Sequence, residues 1–243
     1  MKQFDNWEEY KPHAHWHQVS MVMPHIFLHG WVAEDAVYCL ANTGDHIWLT
    51  AAGEVQLLDY AKILNESAKL GHVVTMVSLP KAVAQKMKFE DPRDVVWMRR
   101  THPFPPKSVS PNVEIVTDGS ADSEIQRLLQ LSAPDSSVWP GNPEIMFWTV
   151  VRNSEKEIVG AAAGVKWQTG ANVVSSVAVA ESARRKGFGS LVTSVTAQEL
   201  FARGAETVNL GVRATNRGAL AMYTALGFDD QYEFTRAILK AKE

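Results

Sequence analysis

The sequence predicts an α/β protein of the α+β kind, a mixed central sheet flanked by helices, and three observations carry that expectation. Short apolar, strand-like runs alternate with amphipathic stretches of helical period, most plainly after residue 112. Glycines stop the helical stretches, at Gly204 and Gly227, as C-terminal caps do. The order strand, helix, strand, short helix stands once in each half of the chain, as in a diverged internal repeat.

In chain order, Val37–Leu40 and His46–Leu49 read as strands, and Glu54–Leu70 as a helix with Leu57, Ala61, Leu64 and Ala68 on one stripe. Val73–Leu79 reads as a strand, Ala82–Met87 as a short helix and Val95–Arg99 as a strand. Residues 101–111 hold Pro103, Pro105, Pro106 and Pro111, which exclude a helix and make this segment a stiff linker. The expected domains are therefore residues 1–100 and 112–243, joined by 101–111.

After the linker come a strand at Val113–Val116 and a helix at Ala121–Leu131, with Ile125, Leu128 and Leu129 inward, then the loop PDSSVWPGNP. Met146–Arg152 and Ile158–Trp167 read as strands, Thr169-Gly170 as a turn and Val173–Val179 as a third strand. Arg184 to about Arg203 reads as a helix, Thr207–Val212 as a strand, Arg217–Leu226 as a second helix and Glu233–Leu239 as a closing strand. The repeat aligns the stretch that begins at Ile47–Thr50 and ends at Lys88-Phe89-Glu90-Asp91 with the one that begins at Val173–Val179 and ends at Gly227-Phe228-Asp229-Asp230.

Composition bounds the function. The 243 residues are 46% apolar and 21% charged, with a net charge of −3 and a pI near 6.2, so no basic footprint for nucleic acid or anionic lipid exists. No apolar run approaches the ~20 residues that span a bilayer. The first 17 residues have acids and histidines where a secretory signal would be apolar, so the expected location is cytoplasmic. Cys39 is the single cysteine and sits in the apolar stretch Ala36–Ala41, which favours a buried structural thiol over a nucleophile. His13, His15 and His17 alternate, with His25 and His29 nearby; solvent-facing or locally bonded imidazoles are favoured over a zinc site, and no metal is expected.

The segment VAVAESARRKGFGSLV runs from a strand through a basic, glycine-bearing turn into a helix. A helix start leaves N–H groups unpaired and carries partial positive charge. Gly187 and Gly189 let that backbone approach a bulky anion, and Arg184, Arg185 and Lys186 add charge. Phe188 and Ser190 do not continue a Walker loop, and Val192 stands where a dinucleotide fingerprint needs its third glycine. Further on, Asn216, Ala219 and Tyr223 are spaced to share one helix face, and Gly227-Phe228 comes next.

The Arg184-x-x-Gly187-x-Gly189 loop resembles the coenzyme A loop of the GNAT N-acetyltransferase superfamily, and the Asn216-to-Tyr223-to-Gly-Phe pattern resembles the segment that comes after it there. The likeness covers residues from about 112 to 240 and is loosely similar to the glycine N-acyltransferase-like branch. It implies a GNAT-like fold, with the N-terminal half a degenerate copy that has lost its glycine loop (counterpart Leu49-Thr-Ala-Ala-Gly53) and shapes the acceptor cleft.

The resemblance further implies an acyl-CoA-dependent N-acyltransferase, most simply one using acetyl-CoA, that acts on a small-molecule or peptide amine by direct attack. The amides of Arg185, Lys186, Gly187, Phe188, Gly189 and Ser190 would hold the pyrophosphate beside Arg184. Val177, Ala178 and Val179 would pair with the pantetheine arm, Asn216 would fix the cofactor, and Tyr223 would protonate the leaving thiolate. Arg185 departs from the glycine usual at its position, and Glu181-Ser-Ala183 lacks the usual proline and aromatic. The strand Val173–Val179 contains no acid to serve as base; Ser175 or Ser176 holding a water, Asp135 and Glu144 are the alternatives. Trp139, Trp148 and Trp167 fall on the acceptor side, as pocket lining or as core. A non-catalytic acyl-CoA-binding or regulatory module is the rival reading, and oligomeric state is left open.

Overall fold

The computed structural model describes residues 1–16, 26–105 and 112–239. By packing they form two compact units, each built from separated stretches of chain. One comprises Met1–Trp97, Val212–Arg217 and Gln231–Glu243; the other comprises Met98–Gly211 and Gly218–Asp230. Each has a mixed sheet with helices against it, the class the alternating pattern predicts.

In the first unit, β1 (Lys2–Phe4), β2 (Ile26–Val32), β3 (Ala36–Asn42) and β4 (Ile47–Gly53) run antiparallel in sequence order. Helix α2 (Leu57–Lys69) returns the chain to β5 (Met76–Pro80), which lies parallel to β4 with Leu49 opposite Val77. On one sheet face Tyr38, Leu40, Leu49, Val77 and Leu79 bury against Tyr60 and Ile63 of α2. On the other, Cys39 and Ala41 bury with Phe4 and with Tyr10 of α1 (Trp7–Tyr10). The Cys39 thiol is fully buried and desolvation pushes it up to about 12, the inert structural thiol expected.

The short helix α3 (Lys81–Ala84) leads to β6 (Glu90–Arg100), and the strand beyond β5 is the last of the chain, β12 (Asp230–Ile238). Expected to close the second half, β12 instead runs antiparallel to β5, with Arg236 opposite Ser78. The reason is packing: Phe234 completes a cluster with Trp48 and Met76.

In the second unit, β7 (Val113–Val116), β8 (Ile145–Arg152), β9 (Ile158–Lys166) and β10 (Asn172–Val179) are antiparallel neighbours, and β11 (Val208–Arg213) lies parallel to β10. Helix α4 (Asp122–Ser132) buries Ile125, Leu128 and Leu129. Helix α5 (Phe188–Ala202) crosses the face that carries Phe147, Thr149 and Val151, where Arg203 stacks on Phe147 and Thr196 reaches Thr149. A Cβ at Gly160 or Gly164 would strike Val151 or the Phe147 ring, so close strand contact requires both glycines.

The two units repeat one topology: three antiparallel strands, a crossover helix, then a parallel strand. The linker expected over 101–111 is described only to Phe104-Pro105, where the Phe104 N–H donates to Gln198. Among the N-terminal histidines, His17 and His25 lie outside the described residues. His13 ends a 3-10 turn, Lys11–His13, rather than standing in an extended run, because Pro12 sets that turn. His29 bonds Asp5 at 2.8 Å. Among the described helices none is long and apolar enough to cross a membrane.

Candidate acyl-CoA site

The anion cradle begins later in the helix than its composition predicts. After β10 the chain makes a 3-10 turn at Glu181–Ala183, Arg184 is extended, and the helix starts at Phe188 rather than Arg184. The cause is backbone handedness: Arg185 at φ 64 and Gly187 at φ 84 are left-handed, which no helix admits. Leu191 makes the first helical bond, to Gly187, so the N–H groups of Phe188, Gly189 and Ser190 stand at the open start of the helix. Two left-handed residues ahead of an open helix start make a backbone of the kind that forms anion-binding concavities. Arg184, Arg185 and Lys186 are exposed there, with no carboxylate partner among the described residues.

Strand β10 leads into the cradle. Its pairing with β11 is confined to Asn172 opposite Val208 and Val173 opposite Asn209. Beyond Val173 the two strands part, which leaves the β10 edge from Val174 to Val179 without a strand partner on that side among the described residues. Against β9 the register slips by one residue between Ser175 and Ala178, and within that bulge Ser176 takes φ 51. Val177 and Val179 are half-buried and Ala178 is buried.

Gly189 ties the cradle to the helix that carries the tyrosine. A Cβ there would stand 3.2 Å from Met222 Sδ and 3.7 Å from Val179 Cγ2, so the end of β10, the start of α5 and helix α6 (Arg217–Ala225) meet at this glycine. Tyr223 comes after Met222 on α6 and is 7% exposed. Its ring stands edge-on to Phe228 at 6.2 Å, and Phe228 is held by an N–H donated to the Tyr223 carbonyl. Gly227 makes this possible: at φ 74 it ends the helix, and it leaves room for Arg100, which donates to the Leu226 carbonyl at 2.7 Å. Burial pushes the Tyr223 phenol up to about 12, so it keeps its proton at neutral pH.

Val177–Val179, Arg184–Ser190 and Tyr223 thus all lie in one unit, whereas Asn216, exposed before α6, groups with the other. The two acids considered as bases stand differently. Glu144 accepts the Gln168 N–H at the β9–β10 hairpin, about 16 Å along β10 from Val177 at ~3.3 Å per residue. Burial raises its carboxyl above the usual range. Asp135 is exposed in the loop at residues 134–143, which does touch the bulge: Ser137 and Ser175 hydroxyls are 2.8 Å apart and Ser176 bonds Val138. Sequence reasoning misses that contact. Trp148 and Trp167 are buried core residues, and Trp139 is half-buried in the same loop, its indole donating to Ser136.

The sequence model of the acetyltransferase (GNAT) family matches residues 120–228, a stretch that includes the cradle, β10 and Tyr223. No curated protein matches the sequence. Among solved structures, a GCN5-related N-acetyltransferase from Kribbella flavida is similar at TM-score 0.57 and 17% identity, over 92% of each chain. A GCN5-related N-acetyltransferase from Sphaerobacter thermophilus is similar at 0.55 and 16%, over 88% of this chain and 83% of that one. A tandem GNAT protein from the clavulanic acid biosynthesis pathway is similar at 0.53 and 13%, over 90% and 85%. At these identities the likeness is one of fold.

Proposed function

We propose that this chain, which belongs to the GNAT acetyltransferase superfamily through residues 120–228, is an N-acetyltransferase that moves the acetyl group of acetyl-CoA to an amine by direct attack. The observation that carries the proposal is the open helix start with its left-handed residues, at 185–190, which meets the helix bearing Tyr223 at Gly189. The pyrophosphate rests on the amides of residues 185–190, with Arg184 and its neighbours supplying charge. The pantetheine arm pairs with the open β10 edge at Val177–Val179, and a backbone N–H of that edge polarises the thioester carbonyl.

In the transfer step the amine nitrogen bonds to the carbonyl carbon while the carbon–sulfur bond breaks. The Tyr223 proton passes to sulfur, the attacking nitrogen gives up one proton to solvent, and solvent returns one proton to the Tyr223 phenolate. The first unit is read as a diverged copy without this site. Its passage from β4 to α2 is only Glu54, Val55 and Gln56, with no cation, where the second unit has the cradle.

The test is thiol release from acetyl-CoA across a panel of primary amines, amino acids and peptides, for wild type and Tyr223→Phe. A positioned acid contributes about 10²–10⁴-fold, so the variant should lose at least ~100-fold in kcat while binding acetyl-CoA as before. Unchanged thiol release in the variant would sink the role of Tyr223. Tight acetyl-CoA binding with no turnover of any amine would favour a non-catalytic acyl-CoA-binding module.

A further inference from the structure

We infer that Ser176 is a positioning residue of this site: it clamps the loop at residues 134–143 to the bulged strand, so that acyl-CoA on the strand orders that loop. The inference rests on the acyltransferase reading above. Ser176 is the left-handed residue of the β10 bulge, at φ 51, a place that ordinarily belongs to glycine because a side chain is strained there. Glycine would make the same bend at no steric cost. What serine adds is a hydroxyl, and that hydroxyl is fully engaged.

It donates to the Val138 carbonyl at 2.7 Å and accepts the Val138 N–H at 3.3 Å. Val138 is 1% exposed, so both of its main-chain groups depend on this one side chain for hydrogen bonding. The neighbouring hydroxyls of Ser175 and Ser137 are 2.8 Å apart, so two successive strand residues hold two successive loop residues. The loop is internally braced as well. Ser136 donates to Ala133, the Trp139 indole donates to Ser136, and the Asn142 N–H donates to Trp139. A braced loop held at these two neighbouring residues moves with the bulge that holds it.

The clamp sits beside Val177, on the strand edge proposed to pair with the pantetheine arm. Pairing there fixes the bulge backbone, the bulge fixes the Ser176 hydroxyl, and the hydroxyl fixes Val138. Strain retained at a site where glycine would serve, and where the strained side chain is the link itself, is the mark of a functional constraint.

The experiment reads hydrogen exchange at the Val138 amide of the full chain, with and without saturating acetyl-CoA, in wild type, Ser176→Gly and Ser176→Ala. In wild type, acetyl-CoA should slow that exchange by about ten-fold or more. Ser176→Gly adopts the bend without strain, so it folds, yet it should lose the protection. With an amine that wild type accepts, both variants should raise KM for the amine several-fold and leave KM for acetyl-CoA within about two-fold. Acetyl-CoA binding to wild type without protection of Val138, protection retained in Ser176→Gly, or an unchanged amine KM each overturns the clamp. Failure of wild type to bind acetyl-CoA overturns the acyltransferase reading instead.

Discussion

Replacing Arg185 by glycine separates what the backbone of the cradle does from what its side chains do. Arg185 stands at φ 64, and a left-handed conformation costs an L-residue about 1–2 kcal/mol. Glycine removes that cost and returns about 0.5–1 kcal/mol in chain entropy, so the net gain is about 0.5–1 kcal/mol. For a chain of this size that is a rise in Tm of roughly 1–4 °C. The lost guanidinium is exposed, and an exposed charge pairing contributes about 0–1 kcal/mol, so acetyl-CoA affinity should fall no more than about five-fold. Gly187→Ala should do the reverse. No atom lies within 4 Å of the added Cβ, so its effect is the strain of φ 84 alone, about 1–2 kcal/mol lost. Calorimetric melts and acetyl-CoA titrations of the two variants check both signs. An Arg185→Gly protein that no longer binds acetyl-CoA would refute the claim that the amides carry the anion.

The second unit yields three further expected outcomes. The native Tyr223 phenol titrates near 12 against about 10 unfolded, so the native state holds a proton that the unfolded chain releases. The stabilisation is complete below pH 10 and drains away as pH rises through 12, by up to about 3 kcal/mol. Denaturant midpoints at pH 8, 10 and 11 should show that alkaline slope lessened in Tyr223→Phe. Gly164→Ala places a carbon 2.3 Å from the Phe147 ring, which Arg203 covers from above, and should destabilise by about 1–3 kcal/mol in urea. Thr149 and Thr196 hydroxyls lie 2.7 Å apart, and Thr196 also reaches the Val192 carbonyl. Thr149→Val should therefore cost about 1 kcal/mol, and Thr196→Val, which strands the buried Thr149 hydroxyl, about 1–3 kcal/mol; equal costs would contradict this ordering.

The second unit is legible in the sequence because glycine and apolar period agree with its fold: each strand from Val113 to Val179 reads to within a residue or two. The helix start is misplaced by four residues because Arg184, Arg185 and Lys186 suit a helix in composition, and the left-handed φ at Arg185 leaves no trace in residue type. In the first unit β2 escapes a reading by pattern. His29 and Gly30 break its apolar run, and only the fold shows why, since the Tyr10 ring fills the place of a Gly30 side chain. Pro92 hides the early part of β6 in the same way. Of the candidate site, the glycine-bearing turn and the helix of Tyr223 are legible as pattern, while their proposed roles rest on the resemblance. The Ser176–Val138 clamp is not legible, because it joins residues 38 apart through side-chain-to-backbone bonds that obey no periodic pattern.

The place of β12 makes the first unit a late product of synthesis. Its sheet needs a strand that leaves the ribosome about 150 residues after β5, roughly 8–30 s later at ordinary elongation rates. Until then β5 presents an unfilled edge, and Trp48 and Met76 lack the Phe234 ring that covers them. The Lys81–Glu233 ion pair, spanning 152 residues, can form only when the interval ends.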